Sequence, residues 1–98
     1  MKLEEIKTIL RQNLPQIQQK YRVRQLGIFG SFVRGEQTDR SDIDLLVEFD
    51  PDVRFGLLTF CQIENELGEL LDRQVDLVMK DGLKPRIGER ILQEVIYL

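Results

Sequence analysis

The sequence contains no histidine and a single cysteine, Cys61, among its 98 residues. Without histidine, neither a serine–histidine–aspartate triad nor a cysteine–histidine pair can form. A structural zinc site built from cysteine and histidine is excluded for the same reason, and one cysteine cannot make a disulfide within the chain. Catalysis by this chain must therefore use carboxylates, hydroxyls, lysine, arginine, backbone groups or a bound metal.

Long apolar runs and an excess of basic charge are also missing. No apolar run approaches the ~20 residues of a membrane-spanning helix, and the N-terminus lacks the apolar core of a signal peptide. Together with the single cysteine, this predicts a cytoplasmic protein with no membrane partner. The net charge of −3 argues against a nucleic-acid partner, because nucleic-acid binding needs a basic face. A nucleotide bound through a metal stays compatible, since the metal reverses the local charge.

Composition and residue spacing predict one α/β (α+β) domain over residues 1–98. The chain is 42% hydrophobic and 32% charged, which is typical of a globular protein. Apolar spacings of three and four predict a first helix over residues 2–20, kinked or split near Pro15. Runs rich in β-branched residues predict three strands, at residues 23–29, 42–49 and 75–79. Further helical segments are predicted at residues 32–35, at 55–71, and from Pro85 through Ile96. The order indicates a small three-stranded mixed sheet flanked by about four helices.

Gly30 and Ser31 lie where the first strand gives way to a short helical turn. Such a junction leaves unpaired backbone N–H groups, which favour a phosphate. Glycine lets a phosphate approach the backbone, and the serine hydroxyl can donate a hydrogen bond. The pair alone is a weak signal, because a Gly-Ser turn is usually only a turn, and the spacing of a P-loop is absent.

Asp42 and Asp44 carry a stronger signal. Residues two apart on a strand point to one face, about 6.6 Å apart at ~3.3 Å per residue. Two carboxylates placed this way repel each other unless a cation lies between them, and Mg²⁺ prefers oxygen ligands. Their separation suits two metal ions in a phosphoryl or nucleotidyl transfer site. The alternative is that Asp42 caps a loop and Asp44 faces solvent.

Asp76 adds a third carboxylate, flanked by Val75 and Leu77 in the last predicted strand. A buried, unpaired aspartate is costly, so a ligand role beside Asp42 and Asp44 accounts for it. The alternative is that the strand lies at an edge of the sheet and Asp76 faces water.

Gly30-Ser31, followed after ten residues by Asp42-Ile43-Asp44, resembles the signature of the DNA polymerase β-like nucleotidyltransferase superfamily. The fuller pattern is similar to its minimal members, the MNT proteins, which are often encoded beside a HEPN-domain partner as antitoxin and toxin. The third acid and the element order agree, and the resemblance covers nearly the whole chain. It implies a nucleotidyltransferase fold.

The resemblance also implies roles for these residues. Gly30 and Ser31 would hold the β- and γ-phosphates of ATP. Asp42 and Asp44 would bind two Mg²⁺ or Mn²⁺ ions, and Asp76 would complete one metal site and help to activate the attacking hydroxyl.

Arg34 and Ser41 are further candidates for nucleotide binding. Arg34 could equally pair with Glu36, and Ser41 could merely satisfy its loop. Arg40 and Arg73 are expected to be solvated. Cys61 and the apolar stripes of the first and last helices are expected to lie in the core.

By the same resemblance, the protein is expected to be an antitoxin that transfers AMP from ATP to a hydroxyl, a tyrosine, of a cognate HEPN ribonuclease toxin. An alternative is a catalytically idle MNT-fold binding module that neutralises its partner sterically. A third is an enzyme acting on a small-molecule hydroxyl such as an aminoglycoside, which would need a second domain from a partner or a homo-oligomer.

Overall fold

The computed structural model describes residues 1–54 and 56–98. Its helices are α1 (Leu3–Tyr21), α2 (Ser31–Arg34), α3 (Leu57–Leu71) and α4 (Pro85–Glu94). Its strands are β1 (Val23–Phe29), β2 (Ile43–Phe49), β3 (Val75–Met79) and β4 (Ile96–Tyr97), with a 3₁₀ turn at Lys80–Gly82. Phe55, the predicted start of the third helix, lies outside the described residues. Within the described ranges, no helix is both long and apolar enough to cross a membrane.

The mixed α+β architecture is confirmed, but the sheet has four strands where three were predicted. The strand order is β3-β2-β1-β4, with β2 and β3 parallel and the other neighbours antiparallel. The prediction that the last helix continues through Val95 and Ile96 was wrong. The backbone becomes extended at Val95, and the Leu98 N–H donates to the Leu26 carbonyl at 3.0 Å. Pairing with the open edge of β1 therefore outweighs the helical spacing of these residues.

The two faces of the sheet bury different helices. On one face, α1 and α3 pack through a cluster that includes Ile6, Leu10, Ile63 and Leu67. On the other face, Ile91 of α4 packs with Phe29 and Leu46. The second cluster is smaller, so part of that face is left for polar side chains.

Pro15 does not split the first helix, which runs unbroken from Leu3 to Tyr21. Leu10 before the proline and Ile17 after it are both buried in the same cluster. Packing on both sides of Pro15 therefore holds the two halves together, although the proline removes one helical donor.

Three apolar side chains expected in the core are exposed. Cys61 is exposed because it lies two residues before the buried Ile63, about 200° around the helix. Ile87 and Leu92 are 60% and 46% exposed, since α4 buries only Gly88 and Ile91. The expectation for these three was wrong.

Gly27 in the middle of β1 sets how closely the C-terminal strand can approach. A Cβ atom at this position would lie 2.5 Å from Cγ2 of Val95 and 3.3 Å from the Ile96 carbonyl oxygen. Glycine is therefore required for β4 to pair with β1, and that pairing fixes where α4 ends.

Gly27→Ala is predicted to lower the free energy of unfolding by about 1–3 kcal/mol, the usual cost of overpacking. Gly82→Ala is the control, because its Cβ would meet no atom within 4 Å. Urea denaturation of both variants measures the difference. Equal stability of the two variants would show that the approach of β4 tolerates a side chain.

Candidate functional site

The register of the sheet places Asp44 of β2 directly beside Asp76 of β3. Because parallel neighbours in register point their side chains to the same face, the two carboxylates lie side by side. Asp42 immediately precedes β2, two residues before Asp44. The structure therefore brings the three predicted acids to one end of one sheet face, the face that α4 only partly covers.

Asp76 matches the alternative interpretation in part, because that interpretation placed its strand at an edge of the sheet and its side chain in water. β3 is an edge strand of the described sheet, and Asp76 is exposed. The inference from a buried, unpaired acid was therefore wrong for this residue. What links Asp76 to the other acids is its register position beside Asp44, not burial.

Asp44 is the half-buried member of the group. Its pKa is raised from 3.8 to about 6, first by burial and then by the neighbouring carboxylates of Asp76 and Asp42. The Arg34 guanidinium opposes this shift. The negative charge at Asp44 is thus incompletely compensated by the described protein groups.

The Gly30 turn packs against this carboxylate. Gly30 has φ +86°, and a Cβ atom there would lie 2.0 Å from Oδ2 of Asp44. Its carbonyl accepts from the N–H groups of Val33 and Arg34, which begins α2. Both the backbone conformation and the contact with Asp44 therefore require glycine. Among the described residues, the Ser31 hydroxyl next to it has no hydrogen-bond partner that would compete with a ligand.

Glu94 belongs to the site and was missed in the sequence. Its carboxylate accepts from the Gly30 N–H and lies 3.0 Å from Nη1 of Arg34. Nothing in the sequence signals this contact, because it depends on the return of the chain along β1. Arg34 also pairs with Glu36 at 2.6 Å, so the ion pair considered as its alternative role is present.

The loop before β2 supplies Ser41 and its neighbours. The Ser41 hydroxyl accepts a hydrogen bond from the Thr38 N–H at 2.8 Å. The alternative role of Ser41, hydrogen bonding within its own loop, is therefore also present. Arg73, expected to be solvated, instead donates from Nε to the Ser41 carbonyl at 3.1 Å. Arg73 lies in the turn between α3 and β3, from which its side chain reaches this loop.

The three carboxylates fit a hard divalent cation in their chemistry, since Mg²⁺ takes oxygen ligands. In residues 1–54 and 56–98, however, no three acidic side chains already converge on one metal position. Asp42 and Asp76 are exposed and free to rotate, whereas Asp44 is fixed against Gly30. Asp42, Asp44 and Asp76 would thus hold the ion together only after Asp42 and Asp76 turn towards Asp44.

Comparisons with known proteins agree with this geometry. A family of nucleotidyltransferase domains matches residues 3–98. The protein adenylyltransferase MntA of Thermococcus cleftensis is 44% identical over 96 residues, which cover 98% of this chain and 95% of that protein. A solved minimal nucleotidyltransferase is 35% identical, with a TM-score of 0.80, over 100% of this chain and 97% of that one.

A third similarity concerns the fold alone. A chain in the complex of a tri-AMPylated Shewanella oneidensis HEPN toxin with an MNT antitoxin aligns with a TM-score of 0.59 and 20% identity. The alignment covers 96% of this chain and 66% of that one.

Gly30→Ala is predicted to lower the free energy of unfolding by at least about 1 kcal/mol more than Gly35→Ala. Both glycines have positive φ, but Gly35 (φ +72°, ψ 24°) lies in the left-handed helical region, where a side chain costs about 1–2 kcal/mol, whereas Gly30 (φ +86°, ψ −155°) lies in a region that essentially only glycine adopts. Only the methyl group at Gly30 also meets Asp44, because a Cβ at Gly35 meets no atom within 4 Å. Chemical denaturation compares the two variants, and equal losses would contradict the packing of Asp44 against the turn.

Asp44→Asn is predicted to raise the melting temperature above pH 6 in metal-free buffer. The pKa of Asp44, about 6, lies above its ordinary value of 3.8, so the folded wild-type chain loses stability as pH rises through this interval. The neutral asparagine escapes that loss, and the difference should vanish below about pH 4. Melting curves from pH 3.5 to 8 test this, with Asp52→Asn, an exposed turn position, as control. A difference that does not change with pH would contradict it.

Proposed function

We propose a reaction for this protein from the premise that the chain belongs to the nucleotidyltransferase domain family. In this reaction the protein transfers AMP from ATP to a tyrosine hydroxyl of a cognate HEPN ribonuclease toxin and so neutralises it, with Mg²⁺ as cofactor. The observation that carries the proposal is the placement of Asp42, Asp44 and Asp76 on one sheet face beside the Gly30 turn.

The Gly30 turn is proposed to bind the triphosphate. Its N–H, the Ser31 hydroxyl and the Arg34 guanidinium are donors at the edge of the acidic group, and donors of this kind bind phosphate oxygens. Glu94 now accepts hydrogen bonds from two of them, Gly30 and Arg34. A triphosphate would replace this carboxylate as the acceptor, so Glu94 has to move aside when the nucleotide binds.

The three aspartates are proposed to hold the cofactor and to take a proton. Asp42, Asp44 and Asp76 would hold a divalent cation, which when bound would supply charge neutralisation for the triphosphate and the leaving pyrophosphate. The tyrosine oxygen attacks the α-phosphorus. The bond between the α-phosphorus and the oxygen that bridges it to the β-phosphorus breaks, so that pyrophosphate leaves. The tyrosine proton passes to the Asp76 carboxylate. Exposure suits Asp76 to this role, because the acceptor comes from another molecule.

A protein acceptor is supported by the similarity to a protein adenylyltransferase over nearly the whole of both chains. The HEPN toxin is supported by the sequence resemblance and by the fold shared with a chain of a HEPN–MNT complex. Adenine is likewise proposed from these relatives, because the site described here contains no residue that would read a base.

Asp42→Asn combined with Asp44→Asn is predicted to abolish transfer of α-labelled AMP from ATP to the toxin. The loss should reach at least about 10³-fold, because two of the three proposed ligands of the cofactor lose their charge. Wild-type transfer should stop when EDTA is added and return with Mg²⁺. The control variant, Asp52→Asn with Asp81→Asn, removes the same charge at two exposed positions and should remain active.

The same assay distinguishes the enzyme from a binding module. If the Asp42 and Asp44 variant neutralised the toxin ribonuclease as well as the wild-type chain does, the protein would act by steric binding alone. Label on an aminoglycoside in the absence of toxin would instead favour a small-molecule acceptor.

A further inference from the structure

We propose that Arg73 is a positioning residue that fixes the loop before β2, and with it Asp42, against the Gly30 turn. This inference rests on the proposed function at one point only, the role of Asp42 as a metal ligand. The contacts that define the role belong to the described structure and do not depend on which ligand binds.

One guanidinium holds three carbonyls of the loop. Nε of Arg73 donates to the Ser41 carbonyl at 3.1 Å, and Nη2 donates to the carbonyls of Asp39 and Thr38 at 3.0 and 3.3 Å. Hydrogen bonds with a charged partner are stronger than those between neutral groups. Asp42 follows directly after the last of these carbonyls, so its backbone is held where β2 begins.

The same guanidinium also contacts α2, the short helix that follows Gly30. Its central carbon lies 5.3 Å from the centre of the Phe32 ring, within reach of a cation–π interaction. Phe32 is buried and follows Ser31 in α2. Arg73 therefore connects the loop that carries Asp42 with the helix that follows Gly30.

The backbone around Arg73 is itself anchored. Its N–H donates to the Gly68 carbonyl at 3.0 Å, which ends α3 in a turn with Asp72 at φ +51°. The next carbonyl, that of Gln74, accepts from the Ile43 N–H at 2.9 Å. Since Asp76 lies three residues beyond Arg73, this turn links all three segments that supply the site.

Arginine is required here because two separate nitrogens of one side chain donate to the three carbonyls. Its planar group presents five donors in a fixed geometry and can stack on a ring, whereas the lysine ammonium is a compact point charge. Arg73→Lys should therefore keep the charge but lose most of the loop contacts. Arg73→Met should lose all of these hydrogen bonds, although the methionine side chain is also long and unbranched.

The test measures loop order and metal affinity in the full chain, without any partner. In Arg73→Met, hydrogen exchange of the Ser41 amide should become about 10-fold faster, because its protection depends on the ordered loop. The dissociation constant for Mn²⁺ should rise about 10- to 100-fold, as for other residues that orient metal ligands. Arg73→Lys should fall between wild type and Arg73→Met, and melting curves establish that each variant is folded.

Arg40→Met is the matched control, because it removes the same charge from the exposed loop that Arg73 contacts. It should leave both quantities within about twofold of wild type, as is usual for surface changes. Unchanged exchange in both Arg73 variants would overturn the inference whatever the reaction. Faster exchange with wild-type Mn²⁺ affinity would overturn the positioning role alone. Absence of Mn²⁺ binding by the wild-type chain would overturn the proposed function and this role together.

Discussion

The cost of a negative charge on Asp44 is the constraint to which the rest of the site is fitted. Burial of this carboxylate is the largest part of that cost, and repulsion from Asp76, which the parallel register of β2 and β3 sets beside it, and from Asp42 adds to it. Like charges so placed destabilise the free protein unless a cation joins them. The fold therefore keeps a less stable arrangement at this position, as functional sites often do.

Two features of the chain maintain this arrangement. Gly30 allows its turn to contact Asp44 without a side chain between them. The C-terminal return along β1, which Gly27 permits, brings Glu94 to the Gly30 N–H and to Arg34. In the free protein a carboxylate thus occupies donors of a kind that binds phosphate. Under the proposed function, nucleotide binding would be coupled to a movement at the end of α4.

Much of this could be predicted from the sequence, because local patterns fix it. Alternation along β2 and β3 places Asp44 and Asp76 on one face, and the boundaries of β1 and β3 matched their predictions. Long-range contacts could not be predicted. The spacing of Val95 and Ile96 suits a helix, and only pairing with β1 makes them extended. Glu94 and Arg73 likewise gain their partners from residues distant in the chain, which no periodicity encodes.

The acidic face and the Gly30 turn together are proposed to bind a metal-complexed nucleoside triphosphate. A crystal structure of the chain with Mn²⁺ and a non-hydrolysable ATP analogue, using anomalous scattering to locate the metal, would test this binding site. We expect Mn²⁺ at coordination distance, about 2.1 Å, from oxygens of Asp42 and Asp44, with phosphate oxygens on the Gly30 N–H in place of Glu94. Metal or nucleotide bound away from this face, with Glu94 still on the Gly30 N–H, would contradict it.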